Sequence, residues 1–473
     1  MRLSLFLGLI LFSVISVSQN FGVEAASRER WMGIYSGDDK IGYSRTKIST
    51  HNGDKEVLEQ MKLKMTVLGN DQDVDTDSKF LLDGFNLKGF ESVMRFGLVD
   101  LKVTGERIGD KLKIQMQSIS GNTELTIPVD REPLVNPLLY DWLMSQNPEI
   151  EEGYEVLLFD PTSLLTGAEP ESLKAMLTIE GVEDISIPLG TFKTYRVKMN
   201  YVGSEVTAWI TRDGGVIKEV SPLGIVSFKE KGGESIENRI SSLDIVGKTA
   251  ISSNLRVENP RGLEFLRIRI GGIESLEGLD LRDDYRQFIK DGLLEIRVGS
   301  LSDINTYEIP YTGREFKEYT QESILIQSKN DEIVKKAGVI VGNERNSLEA
   351  VKKINDWVHK NLEKTPTISL PNALDVLATG KGDCNEHATL FTALARAAGI
   401  PTKLVLGLVF LDGKFYYHAW NEVFAGKWIA VDPTFGQFPA DASHIKFVEG
   451  NLNRGTEILR LVGKIELDVV EAS

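Results

Sequence analysis

Apolar and polar residues alternate without error along Met61 to Val67 (MKLKMTV) and Lys111 to Gln117 (KLKIQMQ). This is the two-residue period of a strand with one buried face. Leu98 to Thr104, Tyr195 to Val202, Val206 to Thr211 and Gly224 to Lys229 follow the same rule, and Asp83-Gly84, Gly109-Asp110 and Asp213-Gly214 punctuate them as turns. One apolar and one charged face per strand predicts an antiparallel sheet solvated on one side, over residues 26–245. Short helices are expected at Leu134 to Gln146 and Pro170 to Met176. A second, smaller strand-rich piece is expected within 246–320, with Phe265 to Ile270 and Leu293 to Val298 as its best runs. Near residue 321 the period changes. Leu348, Val351, Ile354, Val358 and Leu362 recur at helical spacing, as do Leu390, Leu394 and Ala397 within Asn385 to Ala398, where Gly399 and Pro401 stop the helix. Residues 451–473 alternate again from Ile458 to Val470 and predict a closing strand.

Between these helices and the closing strand the pattern predicts a hairpin. Lys403 to Leu411 is an apolar run ending in Asp412-Gly413, a strong two-residue turn signal, and Phe415 to Phe424 is the returning strand. Tyr416, His418, Trp420 and Glu422 share one face of it. A third strand, Trp428 to Asp432, follows Ala425-Gly426-Lys427. With that three-residue loop Phe424 pairs with Trp428, and Asp432 falls diagonal to His418 on the same face. A two-residue loop would turn Asp432 away.

The chain has one cysteine, Cys384, in the stretch Gly380 to Ala388 (GKGDCNEHA). Asp383 reads as the N-cap of the following helix, and Glu386 three residues later completes a capping box. Cys384 is then the first helical residue, its sulfur at the positive end of the helix dipole. Neighbouring backbone N–H groups are placed to hold a developing oxyanion. A thiol, the His418 imidazole and the Asp432 carboxylate are what acyl transfer by cysteine requires. The competing reading is a small buried cysteine with no chemistry.

Gly-Asp-Cys384-Asn-Glu-His, His418-Ala-Trp-Asn-Glu and Val431-Asp-Pro-Thr, in this order and spacing, resemble the core of the transglutaminase-like superfamily over about Glu322 to Gly450. The resemblance implies a papain-like core at 321–450 in which a cysteine-bearing helix packs on an antiparallel sheet; with the N-terminal antiparallel β-rich domains read from the alternation, the chain is expected to be α+β. It implies Cys384 as nucleophile, His418 as general base and acid, and Asp432 as the group fixing the imidazole tautomer. The implied activity is hydrolysis or acyl transfer on peptide or side-chain amides, of protease or amidase type. The alternatives are protein cross-linking or a catalytically idle binding or assembly protein. Cross-linking members use an upstream tryptophan on the oxyanion. The candidate here, Trp357, sits in the amphipathic run at 348–362 and reads equally as a helix residue against the core.

The net charge of −15, 54 basic against 69 acidic residues, argues against nucleic acid or an anionic membrane face as a partner; the protein or peptide substrate is what the resemblance implies. Arg2, the apolar run Leu3 to Val17 and the small residues around Val23-Glu24-Ala25 predict a signal peptide over residues 1–25, hence a periplasmic or secreted protein. The run is short for a membrane span, so a membrane tether requires that it stay uncleaved. The acids Asp71, Asp73, Asp75 and Asp77 resemble a calcium loop, but Ser78 stands where the turn glycine belongs and no glutamate falls at position twelve, so they read as a solvated acidic face. His387 shares the helix of Cys384 and reads as a packing residue. His51, His359 and His444 show no ligand pattern, and no cofactor or metal is expected.

Overall fold

The computed structural model describes residues 27–473 except 52, 68–69, 97–98, 119–120, 162–173, 202–203, 233–239, 274, 284, 303, 366–371 and 451–455. The expected signal peptide lies outside the described residues. Among these, no helix is long and apolar enough to cross a membrane. The chain divides into two compact units, meeting at Ile245 and Val246.

The first unit is one large, almost wholly antiparallel sheet. Eight strands from Ser27–Ser36 to Gly121–Pro128 pair each with the next, and Ile225–Lys229 joins the free edge of Ser27–Ser36 and leads back through Val216–Ser221 and Ser204–Ile210 to Gly153–Phe159. The expected alternation holds where it is strictest: Met61, Leu63 and Met65 are buried, and the intervening Lys62 and Lys64 pair outward with Asp75 and Asp71. The acidic run is therefore one strand, Asn70–Asp83, with Asp77 paired to Arg95. Leu134 to Gln146 is a two-residue strand, a 3-10 turn and a helix over Leu139–Ser145. The helix expected at Pro170 to Met176 is corrected where it is described: Lys174 opens the strand Lys174–Ile187, because Ala175, Leu177 and Ile179 are buried at a period of two.

The second unit, residues 246–473, contains both the smaller strand-rich piece and the core; its elements are numbered from its own start. Strands β1 (Phe265–Gly271), β2 (Gln287–Lys290) and β3 (Leu293–Arg297) form one sheet. Helices α1 (Asp331–Val341), α2 (Ser347–Asn361), α3 (Ala373–Thr379) and α4 (Cys384–Ala397) precede strands β4 (Thr402–Leu411), β5 (Lys414–Phe424), β6 (Trp428–Val431) and β7 (Ile445–Gly450). Strand β8 (Glu466–Ala472) returns to pair antiparallel with β1. The closing strand starts later than the alternation suggests, because Thr456–Leu459 is a helical turn.

Each of α1 to α4 is entered through an asparagine or aspartate cap, Asn330, Asn346, Asn372 and Asp383, whose side chain accepts from the first-turn N–H groups. Helix α4 runs through the middle of the unit: all of its residues but Ala397 are buried. Ile333, Ile354, Val376, Phe391 and Leu394 pack with Val423, Ile429 and Val431 of the sheet into one apolar core. The opposite face of the sheet carries Val405, Trp420 and Ala430.

Gly407 of β4 shows how tightly that face is closed. It stands opposite His418, and a Cβ there would lie 1.9 Å from the Ile445 carbonyl oxygen and 2.8 Å from the Trp420 ring. The first obstacle is backbone and cannot rotate away. Gly407→Ala is accordingly expected to destabilise this unit by about 1–3 kcal/mol. Urea denaturation of the full-length protein measures it, and an unchanged midpoint would show that the β4–β7 pair can spread.

Candidate functional site

Asp383 and Glu386 form the full capping box: the Asp383 side chain accepts from the Asn385 N–H at 2.8 Å, and Glu386 Oε2 accepts from the Asp383 N–H at 2.9 Å. Gly382 lets the chain enter against Glu386, since a Cβ would meet the Glu386 Cβ at 2.2 Å. The cap sets Cys384 at the first position of α4, buried to 3% exposure. Asn421 of β5 donates to the Ala388 carbonyl at 3.0 Å and to Thr392 at 2.7 Å. The helix bearing the thiol is thus tied to the strand bearing the histidine.

The hairpin registers place His418 and Asp432. Leu411 pairs with Lys414 across Asp412-Gly413, both left-handed, as a two-residue turn requires. Phe424 pairs with Trp428, so the three-residue loop expected from the sequence is present. His418 Nε2 lies 2.8 Å from Asp432 Oδ2. Cys384 acts on the same imidazole, as a neighbouring charge and a hydrogen-bond partner. The ring is held between Trp420 and Phe435, at centroid distances of 6.1 and 5.1 Å and near-parallel planes. Burial alone would lower the His418 pKa, but the charges of Asp432 and Cys384 and their hydrogen bonds raise it above the ordinary value. Burial likewise opposes ionisation of Asp432, yet His418 and His444 hold its carboxyl well below the usual carboxylate range. Asp432 Oδ1 accepts from the Thr434 and Phe435 N–H groups at 2.7 and 3.1 Å. Every lone-pair direction of this carboxylate is therefore engaged.

His444 is a residue the sequence reading passed over. Its Nε2 lies 2.9 Å from the same Asp432 Oδ2, and its Nδ1 lies 3.1 Å from Asp441 Oδ1 and 3.2 Å from the Asp441 carbonyl. Asp441 in turn accepts from Ser443 and Gln437 and pairs with Arg261 at 3.1 Å. The buried Arg286 guanidinium donates to the backbone carbonyls of Ala440, Asp441 and His444. The available signal was local: Asp441 and His444 at i and i+3, with Ser443 between them, repeat the Asp–His pairing just beyond Asp432.

The ligand-capable atoms of His418, Asp432 and His444 all come within 4.8 Å of one another. Both imidazoles meet one carboxylate oxygen at 2.8 and 2.9 Å. Those are hydrogen-bond lengths; ligands about 2.0–2.1 Å from a tetrahedral zinc stand more than 3 Å apart. The cluster is a shared-carboxylate hydrogen-bond system. His387 points its Nδ1 to the Asp383 carbonyl at 2.7 Å, and burial lowers its pKa, keeping it neutral. Trp357 packs against the helical core with Lys336 over its ring. His359 Nδ1 lies 3.1 Å from the Thr434 carbonyl, in the loop that follows Asp432.

A cysteine at a helix N-terminus acting on an imidazole of an adjoining antiparallel strand points to the general class of cysteine hydrolases and acyltransferases. Residues 335–433 match the family model of the Transglutaminase-like superfamily. Among curated proteins, an uncharacterized protein of Haemophilus influenzae is 40% identical over 86 residues, which cover 17% of this chain and 23% of that relative's length. Among solved structures, a candidate cysteine protease from Cytophaga hutchinsonii aligns at 19% identity over 45% of this chain and 85% of its own, with a TM-score of 0.29. A candidate protease from Parabacteroides distasonis aligns at 12% identity over 70% and 63%, with a TM-score of 0.20.

Proposed function

We propose that the chain is an exported cysteine hydrolase of protease or amidase type, with Cys384, His418 and Asp432 as its catalytic triad. The observation that carries this reading is the arrangement around one imidazole: Asp432 lies 2.8 Å from His418 Nε2, and Cys384 acts on the same ring. Cys384 sulfur attacks the amide carbonyl, and the oxyanion forms beside the N-terminus of α4. His418 gives its proton to the leaving amine as the C–N bond breaks, which leaves a thioester on Cys384. His418 then takes a proton from water, the resulting hydroxide attacks the thioester, and the thiol is released protonated. Asp432 fixes Nε2–H, so that Nδ1 alone exchanges protons with sulfur and leaving group. An amine in place of water would make the second step transamidation.

One measurement on the protein expressed from residue 1 tests this. An acyl-type electrophilic peptide library should add a single label, readable by intact mass because the chain has one cysteine. The same mass should lack residues 1–25. A protein that retains those residues is not processed as proposed. A thiol that iodoacetamide modifies but no acyl donor does would mark an idle binding protein.

A further inference from the structure

We propose that His444 is a fixed cationic positioning residue of this site: as an imidazolium clamped between Asp432 and Asp441, it restrains the pull of Asp432 on the His418 proton and so sets the pH at which His418 gives that proton up. The inference rests on the reading of Cys384, His418 and Asp432 as a triad. Its ground is geometric. A carboxylate without a proton only accepts, so both Nε2 atoms that meet Asp432 Oδ2, at 2.8 and 2.9 Å, must donate. The second ring nitrogen of His444 faces only acceptors, the Asp441 carboxylate at 3.1 Å and the Asp441 carbonyl at 3.2 Å. Both nitrogens of His444 therefore carry hydrogen, whereas His418 has Cys384, a group that can give or take a proton, among its neighbours.

The surroundings support a permanent charge. His444 is fully buried, and its ring is closed in by Trp420 and Phe435 at centroid distances of 5.2 and 6.4 Å. The charged or titratable groups facing it are Asp432, Asp441 and His418 at 5.6 Å between centroids, with Arg261 on the far side of Asp441 and Arg286 on the carbonyls of 440, 441 and 444. Against burial, the two carboxylates raise its pKa. The result is an alternation of charge from Arg261 through Asp441, His444 and Asp432 to His418. Two like charges about 5.6 Å apart in a medium of effective permittivity near 20 interact strongly enough to move a proton equilibrium by on the order of one to two pH units.

Nitrogen-15 NMR of histidine-labelled full-length protein, which has five histidines, reads this directly and without substrate. In the unmodified protein His444 should show two protonated ring nitrogens from pH 5 to pH 8. In His444→Gln, which keeps an N–H toward Asp432 and removes the charge, the His418 titration should move upward by on the order of one to two pH units. The alkaline limb of the pH–rate profile should move with it. A neutral His444 in the unmodified protein overturns the proposal, as does a folded His444→Gln protein with an unmoved His418 titration. If that variant does not fold, the spectrum of the unmodified protein decides alone. Because the titration needs no turnover, failure of the hydrolase reading is seen separately, in the acyl-labelling experiment.

Discussion

Asp432→Asn is expected to lower turnover by about 10²–10³-fold and to destabilise the second unit by about 3–5 kcal/mol. The amide has one acceptor end, while Asp432 receives two ring N–H groups and two backbone N–H groups. A donor must then face a donor, and the buried His444 loses one of its two anions. The catalytic loss is set below the roughly 10⁴-fold known for serine triads because a thiolate–imidazolium pair depends less on its third member. Stability against pH carries the sign. The folded pKa of Asp432 is depressed, so its contribution is complete above about pH 4 and is lost as the pH falls through the depressed value. The pKa values of His418 and His444 are raised, so their contribution is complete below about pH 6.5 and is lost as the pH rises through the raised values. The unmodified unit should be most stable between about pH 4 and 6.5, and Asp432→Asn should flatten both limbs. Chemical denaturation across pH measures this; two superimposable profiles would show that Asp432 carries no charge in the folded protein.

Lys446→Met is expected to be as damaging to stability without touching the thiol. Lys446 Nζ is buried and lies 3.1 Å from Glu422, 2.6 Å from Glu449 and 3.2 Å from Asp283. Burial alone would lower its pKa; the three carboxylates raise it. Removing the cation leaves Glu422 almost wholly buried with no other cation bonded to it among the described residues, and a broken buried pair costs about 3–5 kcal/mol. Glu449 keeps Lys403 at 2.5 Å. The ionic contribution of Glu449, whose pKa lies at about 2, is complete above about pH 4.5 and lost toward pH 2. The difference between variant and unmodified protein should therefore be largest at neutral pH and shrink below about pH 4.5. A loss under about 1 kcal/mol at pH 7 would mean that water solvates the three acids or that Glu422, whose pKa burial raises, takes up a proton.

The parts of the fold that follow local rules were legible in the sequence. The capping box of α4, the Asp412-Gly413 turn and the three-residue loop before Trp428 each depend on residues within a few positions of one another, and together they brought Asp432 to His418. What escaped the reading is long-range. Arg261 reaches Asp441 and Arg286 reaches the His444 carbonyl only after the chain has folded back on itself, and neither pairing has a period or a spacing to find. His444 was dismissed for want of a ligand pattern: one of its carboxylate partners, Asp432, was already given another role, and the other, Asp441, was not considered. The helix expected near Pro170 failed where propensity and period disagreed, and buried alternation prevailed from Ala175 onward.

The segment ahead of the helices has a practical bearing on how the protein can be cut. Arg286 and Gln287 hold the backbone of residues 440–446 through five hydrogen bonds, and Arg261 holds Asp441. A recombinant fragment begun at residue 321, where the helical period starts, would lack all three side chains and would also leave β8 without the strand it pairs with. Its thiol and His418 would survive, but the loop presenting His444 would be unmoored. The smallest excisable piece that keeps the site's far wall begins near residue 246.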